Sequence, residues 1–412
     1  MSTIRLIAAL VLALTACEER AVPAPAPATQ SSISASPSAM VAEPQPVAAG
    51  NAERGRTLVE RFECHRCHEG TGLTALPSER HCVRCHQEIE GGKVSAPAEK
   101  LAEWKRGIAG VSHVPSLDAL GRLKREWLEG YLQEPHDLRP ALVSTMPRLA
   151  LSSEEGADIV AYLQARGEIP TAPERPATGD VKRGRELAME RGCASCHAFS
   201  GVADWPAARG NGAAVELATD LRFARERLAP ETTALWLRDP KRLKPTTLMP
   251  KLGLGDQEIS DLVAFVTRTP LTPRTSAAPP RLALLERQVS FAEVDKQVFS
   301  VTCRHCHSNT ETGFGDGGPG FDGGFGFAPR RVDLSSHRGI SSGLLAADGE
   351  RHSLFEKLSD GTPRLVAALL ARQAEEGGRP SQSVRGMPLG LPSLTPEQIQ
   401  LVETWVAQGH PL

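Results

Sequence analysis

Residues 63–69 read ECHRCHE and residues 80–87 read RHCVRCHQ. Two cysteine pairs so close together can pinch one zinc ion, or each can anchor a group of its own, and the fold depends on which. The remaining cysteines bear on the choice. The chain has nine: Cys17, Cys64, Cys67, Cys82, Cys85, Cys193, Cys196, Cys303 and Cys306. All but Cys17 fall in Cys-x-x-Cys pairs, and each of the four pairs is followed at once by a histidine: His68, His86, His197 and His307. With 12 His in 412 residues, chance does not place one after every pair.

Cys-x-x-Cys-His is the attachment signature of haem c. A zinc ribbon needs four ligands in one tetrahedron; the first two pairs could supply them, but the pairs at Cys193 and Cys303 have no second pair nearby. A disulfide within each pair suits an oxidising compartment yet has no use for the adjoining imidazole. The pattern therefore predicts four covalently bound haem c groups, each iron taking the neighbouring histidine.

The chain opens MSTIRLIAALVLALTAC, one Arg before an apolar run of about 11 residues, too short to span a bilayer and suited to a secretory segment. Its end, Leu14-Thr-Ala-Cys17, resembles the bacterial lipoprotein signal. The resemblance implies removal of residues 1–16, a lipid on Cys17 and anchoring in the cell envelope facing the periplasm, at the inner or outer membrane. Residues 17–50 are rich in Ala, Pro and Ser, a composition that buries no core and reads as a disordered tether. Cleavage removes only Arg5, leaving 46 basic against 49 acidic side chains, a balance that excludes bulk nucleic acid as a partner.

Beyond the tether the chain repeats itself. YLQEPHDLRPALVSTMPRLALSSEEGADIVAYLQ (131–164) parallels WLRDPKRLKPTTLMPKLGLGDQEISDLVAFVT (236–267), matching Pro135 with Pro240, Met146 with Met249 and Tyr162 with Phe265. Upstream, Gly55 matches Gly184. Both Gly55 to Gly184 and Cys64 to Cys193 span 129 positions, whereas Met146 to Met249 spans 103, so the first copy holds 26 extra residues between its first Cys pair and its Met. The second motif, Cys82 to His86, lies within or beside that insertion.

Apolar residues at helical spacing predict helices over 152–166 (Ile159, Val160, Leu163), 256–267 (Ile259, Leu262, Val263) and 395–408 (Ile399, Val402, Trp405). Ser152 with Glu155, and Thr395 with Gln398, are spaced as capping boxes. No segment alternates convincingly as a strand, so the fold is expected to be all-α. Pro-rich stretches near 169–178 and 269–280 divide it into 51–168 with two haems, 179–270 with one, and 283–412 with one.

This succession of helix, Cys-x-x-Cys-His, loop, Met-Pro and closing helix with an aromatic resembles the class I cytochrome c family, in three tandem domains of which the first carries a haem-bearing insertion. The resemblance implies a downstream Met sulfur as the second iron ligand: Met146 for the haem on Cys64 and Cys67, Met249 for that on Cys193 and Cys196, Met387 for that on Cys303 and Cys306. A buried Met is more often core packing, but three of the five Met left after cleavage precede Pro in such contexts. The insertion brings no Met, leaving His113, His81, His65 and His136 as candidates for the second haem; His113, in SHVPSL, is favoured. The third domain is divergent, with 80 positions from His307 to Met387 against 52 from His197 to Met249, and His337 and His352 rival Met387 there. GGPGFD (317–322) matches a calcium-binding turn once only, interrupted by Pro, and reads better as a glycine- and phenylalanine-rich loop over porphyrin.

These features predict a membrane-tethered tetrahaem cytochrome that passes single electrons between a donor and an acceptor protein. It has no bond chemistry of its own and no small-molecule substrate. Two rivals are a haem peroxidase or small-oxide reductase with one open iron, and an electron-transfer subunit of a larger membrane complex. Lys241, Arg242, Lys244 and Lys251, around Met249, form either a docking rim for an acidic partner or a merely solvated face.

Overall fold

The computed structural model describes residues 50–108, 112–140, 142, 146–167, 178–274, 277–310, 318–381 and 383–412. The expected leader 1–16, Cys17 and most of the expected tether, as well as residues 169–177 of the expected linker, lie outside the described residues. The chain is built of helices; among the described residues the strands amount to one two-residue antiparallel pairing, Leu344–Leu345 with Arg351–His352.

The first structural unit is a helix pair. Helix Ala52–Arg61 starts where Asn51 accepts the Arg54 N–H at 2.9 Å, and it crosses helix Ser153–Gln164. The crossing is close because Gly55 has no side chain. A Cβ there would lie 2.0 Å from the Asp158 carbonyl oxygen and 2.7 Å from Tyr162 Cβ. The pair is pinned at one end by Asp158, whose carboxylate accepts the Asn51 N–H at 2.6 Å and the Arg54 Nε at 2.7 Å. Ser152 and Glu155 form the capping box that their spacing predicts.

Helices Val181–Glu190 and Asp256–Arg268 repeat this arrangement. A Cβ on Gly184 would meet the Asp261 carbonyl oxygen at 2.0 Å and Phe265 Cβ at 2.7 Å, and Asp261 accepts the Asp180 N–H at 2.8 Å. Each pair closes over its own apolar cluster, around Val59, Phe62 and Ile159 in one and Leu187, Phe199 and Phe265 in the other.

A third core surrounds Trp405 on the closing helix Pro396–Ala407, capped by Thr395 and Gln398 as predicted. Helix Phe291–Val294 runs into a wider π-helical stretch, Asp295–Cys303, which carries Val298 and Phe299 into this core. His337 packs edge-on against Trp405 and hydrogen-bonds the His410 carbonyl at 2.8 Å. His352 faces Asp348 and Glu356, each at 3.6 Å. Both rivals to Met387 therefore have structural partners.

The two repeats meet through main chain: Lys124 N–H donates to the Arg227 carbonyl and Asp220 N–H to that of Leu138, both at 2.8 Å. The third region joins the first through a loop: Phe325 packs against the first core, and its N–H reaches the Glu63 carboxylate at 3.1 Å. On the other side, Arg385 donates to the Arg148 carbonyl at 2.6 Å. In the insertion, helix Ala98–Gly107 lies against the π-helical stretch.

Candidate haem-attachment sites

Two of the four motifs share one backbone design. Glu63 and Gly192 each take a left-handed conformation (φ 51° and 74°) just before the first cysteine, and Cys64–Arg66 and Cys193–Ser195 each form a single tight turn. The turn brings the histidine N–H back onto the first cysteine's carbonyl, at 2.9 Å in both. His68 Nδ1 then sits 2.8 Å from the Pro115 carbonyl oxygen and His197 Nδ1 2.7 Å from that of Thr219. A carbonyl can only accept, so Nδ1 carries the proton and Nε2 keeps the lone pair a metal requires. Burial lowers both imidazole pKa values, favouring the neutral, ligating form.

The other two motifs sit differently. Cys82, Cys85 and His86 lie on a regular helix, Cys82–Glu90, capped by His81, whose Nδ1 accepts the Arg84 N–H at 3.2 Å. Cys303 closes the π-helical stretch, and His307 N–H returns to the Arg304 carbonyl at 3.2 Å. His307 is pressed against the glycine-rich loop: a Cβ on Gly320 would fall 2.0 Å from the imidazole Nδ1. Burial pushes His86 and His307 down to about 4.

None of the eight motif cysteines is joined in a disulfide, and all are half-buried. Burial raises the Cys64 and Cys303 thiols to about 12, and a hydrogen bond with the Cys82 side chain, reinforced by burial, raises Cys67. Among the described residues, no group of three or more His, Cys, Asp or Glu side chains converges as a metal cage. A zinc ribbon needs four ligands in one tetrahedron, which the described residues do not bring together. The donor set fits haem c instead: paired thiols to bond a porphyrin's vinyl groups, with an imidazole beside each pair, held by a carbonyl at His68 and His197.

Of the expected Met ligands, Met146, Met249 and Met387 are all half-buried. The Met249 sulfur accepts the Trp236 indole N–H at 3.0 Å, and the Met387 N–H donates to the Ala368 carbonyl at 2.9 Å. Of the histidines weighed for the second haem, His81 is a helix cap 3.4 Å from Glu69. His136 lies between the rings of Tyr131 and Phe223. His65 keeps a buried, unpartnered Nδ1. His113 is exposed, its carbonyl taken by Arg139 at 2.8 Å. The ring beside His86 is His305, within the fourth motif, its centroid 6.1 Å away.

The cations around Met249 do not form one rim. Lys241 and Arg242 are exposed and Lys251 pairs with Asp239 at 3.1 Å, but Lys244 is half-buried at the junction of the two repeats. It gathers there with Arg122, Arg139 and Arg227. Burial lowers the pKa of all four, Arg227 to about 10, and neighbouring cations depress Arg227 and Lys244 further. The offset of 105 that matches Pro135 with Pro240 also matches Arg122 with Arg227 and Arg139 with Lys244. Each repeat thus contributes the same two positions.

Among the described residues no helix is long and apolar enough to cross a membrane. No curated protein and no solved structure matches the chain. The family model described as Cytochrome c matches residues 181–270. These residues hold the helix pair closed by Gly184, the Cys193–His197 motif and Met249, so this part of the chain is a cytochrome c domain, with the covalent haem c, iron and electron-transfer role that such a domain implies.

Proposed function

We propose that the protein is a tetrahaem c-type cytochrome of three tandem domains, relaying single electrons between redox proteins in the bacterial cell envelope, tethered to a membrane by a lipid on Cys17. The carrying observation is contact between motifs that are separate in sequence. Cys67 of the first hydrogen-bonds Cys82 of the second, and His86 of the second neighbours His305 of the fourth. The third motif belongs to the repeat seated on the first through Lys124 and Arg227. Electron transfer falls steeply with distance, so motifs in contact support a continuous path.

Each bound group supplies a reversible one-electron change at iron, with no bond made to a substrate. Cys64, Cys67, His68 and Met146 would hold the first, and Cys82, Cys85 and His86 the second. Cys193, Cys196, His197 and Met249 would hold the third, and Cys303, Cys306, His307 and Met387 the fourth. Arg122, Arg139, Arg227 and Lys244 would offer cations to propionate carboxylates, which would relieve four like charges crowded at one junction. The exposed Lys241 and Arg242 support docking of an acidic redox partner.

The test is mass spectrometry and pyridine haemochrome absorbance of protein made in a host that matures c-type cytochromes. Four haems and a lipid-modified Cys17 are expected; fewer haems would overturn the tetrahaem reading.

A further inference from the structure

The second motif sits on the insertion and the fourth in the last domain, yet their histidines are neighbours. The ring centroids of His86 and His305 are 6.1 Å apart, with planes inclined at 54°. Two imidazoles on opposite faces of one metal ion, each with a metal–nitrogen bond of about 2.0 Å, have centroids about 6 Å apart. The observed spacing leaves room for a shared iron.

Further observations favour that reading over a simple ring pair. His86 is 8 % exposed, and its Nδ1 is buried with no hydrogen-bond partner among the described residues. A buried imidazole nitrogen without a partner calls for a functional explanation. The position is rigid, since the insertion helix Ala98–Gly107 packs on the π-helical stretch that delivers Cys303 and then His305. His81 and His136 already have structural partners. His305, exposed in the protein alone, presents surface for a porphyrin to cover.

We propose that His305 is the second axial ligand of the iron attached at Cys82 and Cys85, opposite His86, in place of His113. The inference rests on the proposed function, in that the second motif must carry haem. It makes the second haem a bis-histidine centre clamped between the insertion and the last domain, so one peptide, Cys303 to His307, binds its own haem and ligates its neighbour's. Two imidazoles without a thioether place this centre lower in potential than a His/Met centre.

The test uses full-length holoprotein with four variants: His305→Ala, His305→Met, His113→Ala and His86→Ala. Haem content is checked first, by mass of the peptide bearing Cys82 and Cys85; absence of haem there in the unaltered protein overturns the tetrahaem reading and this inference with it. With haem present, near-infrared magnetic circular dichroism and electron paramagnetic resonance are expected to show one bis-histidine centre. His305→Ala should lose that signature and gain one high-spin iron, with haem content unchanged and the low-spin signal restored by added imidazole. His305→Met should convert the centre to His/Met and raise one potential, while His113→Ala should change neither. A bis-histidine signal that survives His305→Ala, or disappears in His113→Ala, would overturn the assignment. His86→Ala tests the opposite face and should lose the same signal.

Discussion

The Arg227 guanidinium lies over the Trp127 indole, 5.2 Å from the ring centroid, seating a cation of the second repeat on an aromatic of the first. Its Nε is buried without a hydrogen-bond partner among the described residues, and its position matches Arg122 in the other repeat. On the proposed function, a cation at the junction of two haem-bearing repeats favours the reduced iron in both. Arg227→Gln should therefore lower two potentials together, while Arg227→Lys keeps them. At an effective dielectric near 20 the loss is on the order of 1 kcal/mol, or about 40 mV for one electron. Spectroelectrochemical titration checks it, and a shift of one centre alone would contradict a shared cluster.

Gly55 and Gly184 permit the two helix crossings, and in each a Cβ would stand 2.0 Å from a carbonyl oxygen. Backbone cannot yield as a flexible side chain does. Gly55→Ala and Gly184→Ala should each cost at least about 2 kcal/mol, toward the upper end for overpacking. Denaturant titration followed by circular dichroism measures the loss, and a neutral result in either variant would show that its helices can separate.

Asp158 is buried at 2 % exposure, and its hydrogen bond with Arg54 holds its pKa below 3.8. A depressed carboxylate stabilises the fold above its unfolded value and loses that contribution as pH falls through the folded value. Asp158→Asn should cost about 1.5–3 kcal/mol at neutral pH, as for a charged hydrogen-bond partner. It should also flatten the decline of stability below about pH 4. Melting temperatures from pH 3 to 7 decide it.

The indole N–H of Trp236 donates to the Met249 sulfur at 3.0 Å. A donor on a thioether ligand draws electron density from the metal and favours the reduced state. Trp236→Phe should lower the potential of the haem on Cys193 and Cys196 by about 40 mV, equivalent to a hydrogen bond of about 1 kcal/mol. An unchanged potential would show that the contact is lost when the porphyrin is in place.

Much of this architecture is written in local pattern. The match of Gly55 with Gly184 identifies the two crossings, because only a residue without a side chain allows that approach, and the capping boxes at Ser152 and Thr395 occur where their spacing puts them. The orienting carbonyls of Pro115 and Thr219 were less visible, since any backbone could have served. His305 had no local signal: its neighbour His86 lies 219 positions earlier in the chain, and the packing of Ala98–Gly107 on Asp295–Cys303 brings the two regions together. Lys244 misled for a similar reason, because a basic run in sequence does not show which of its members faces another repeat.

The hydrogen bond between the Cys67 and Cys82 side chains bears on how such a chain is made. Once folded, these sulfurs face one another, and Cys64 beside them is buried enough for its thiol to reach about 12. A maturation enzyme has to add porphyrin while the polypeptide is still open. In an oxidising compartment, bare thiols held this close are primed to join each other instead. On the proposed tetrahaem reading, biogenesis is a race between cofactor delivery and misoxidation, and the crowding that suits electron flow narrows the interval in which delivery can win.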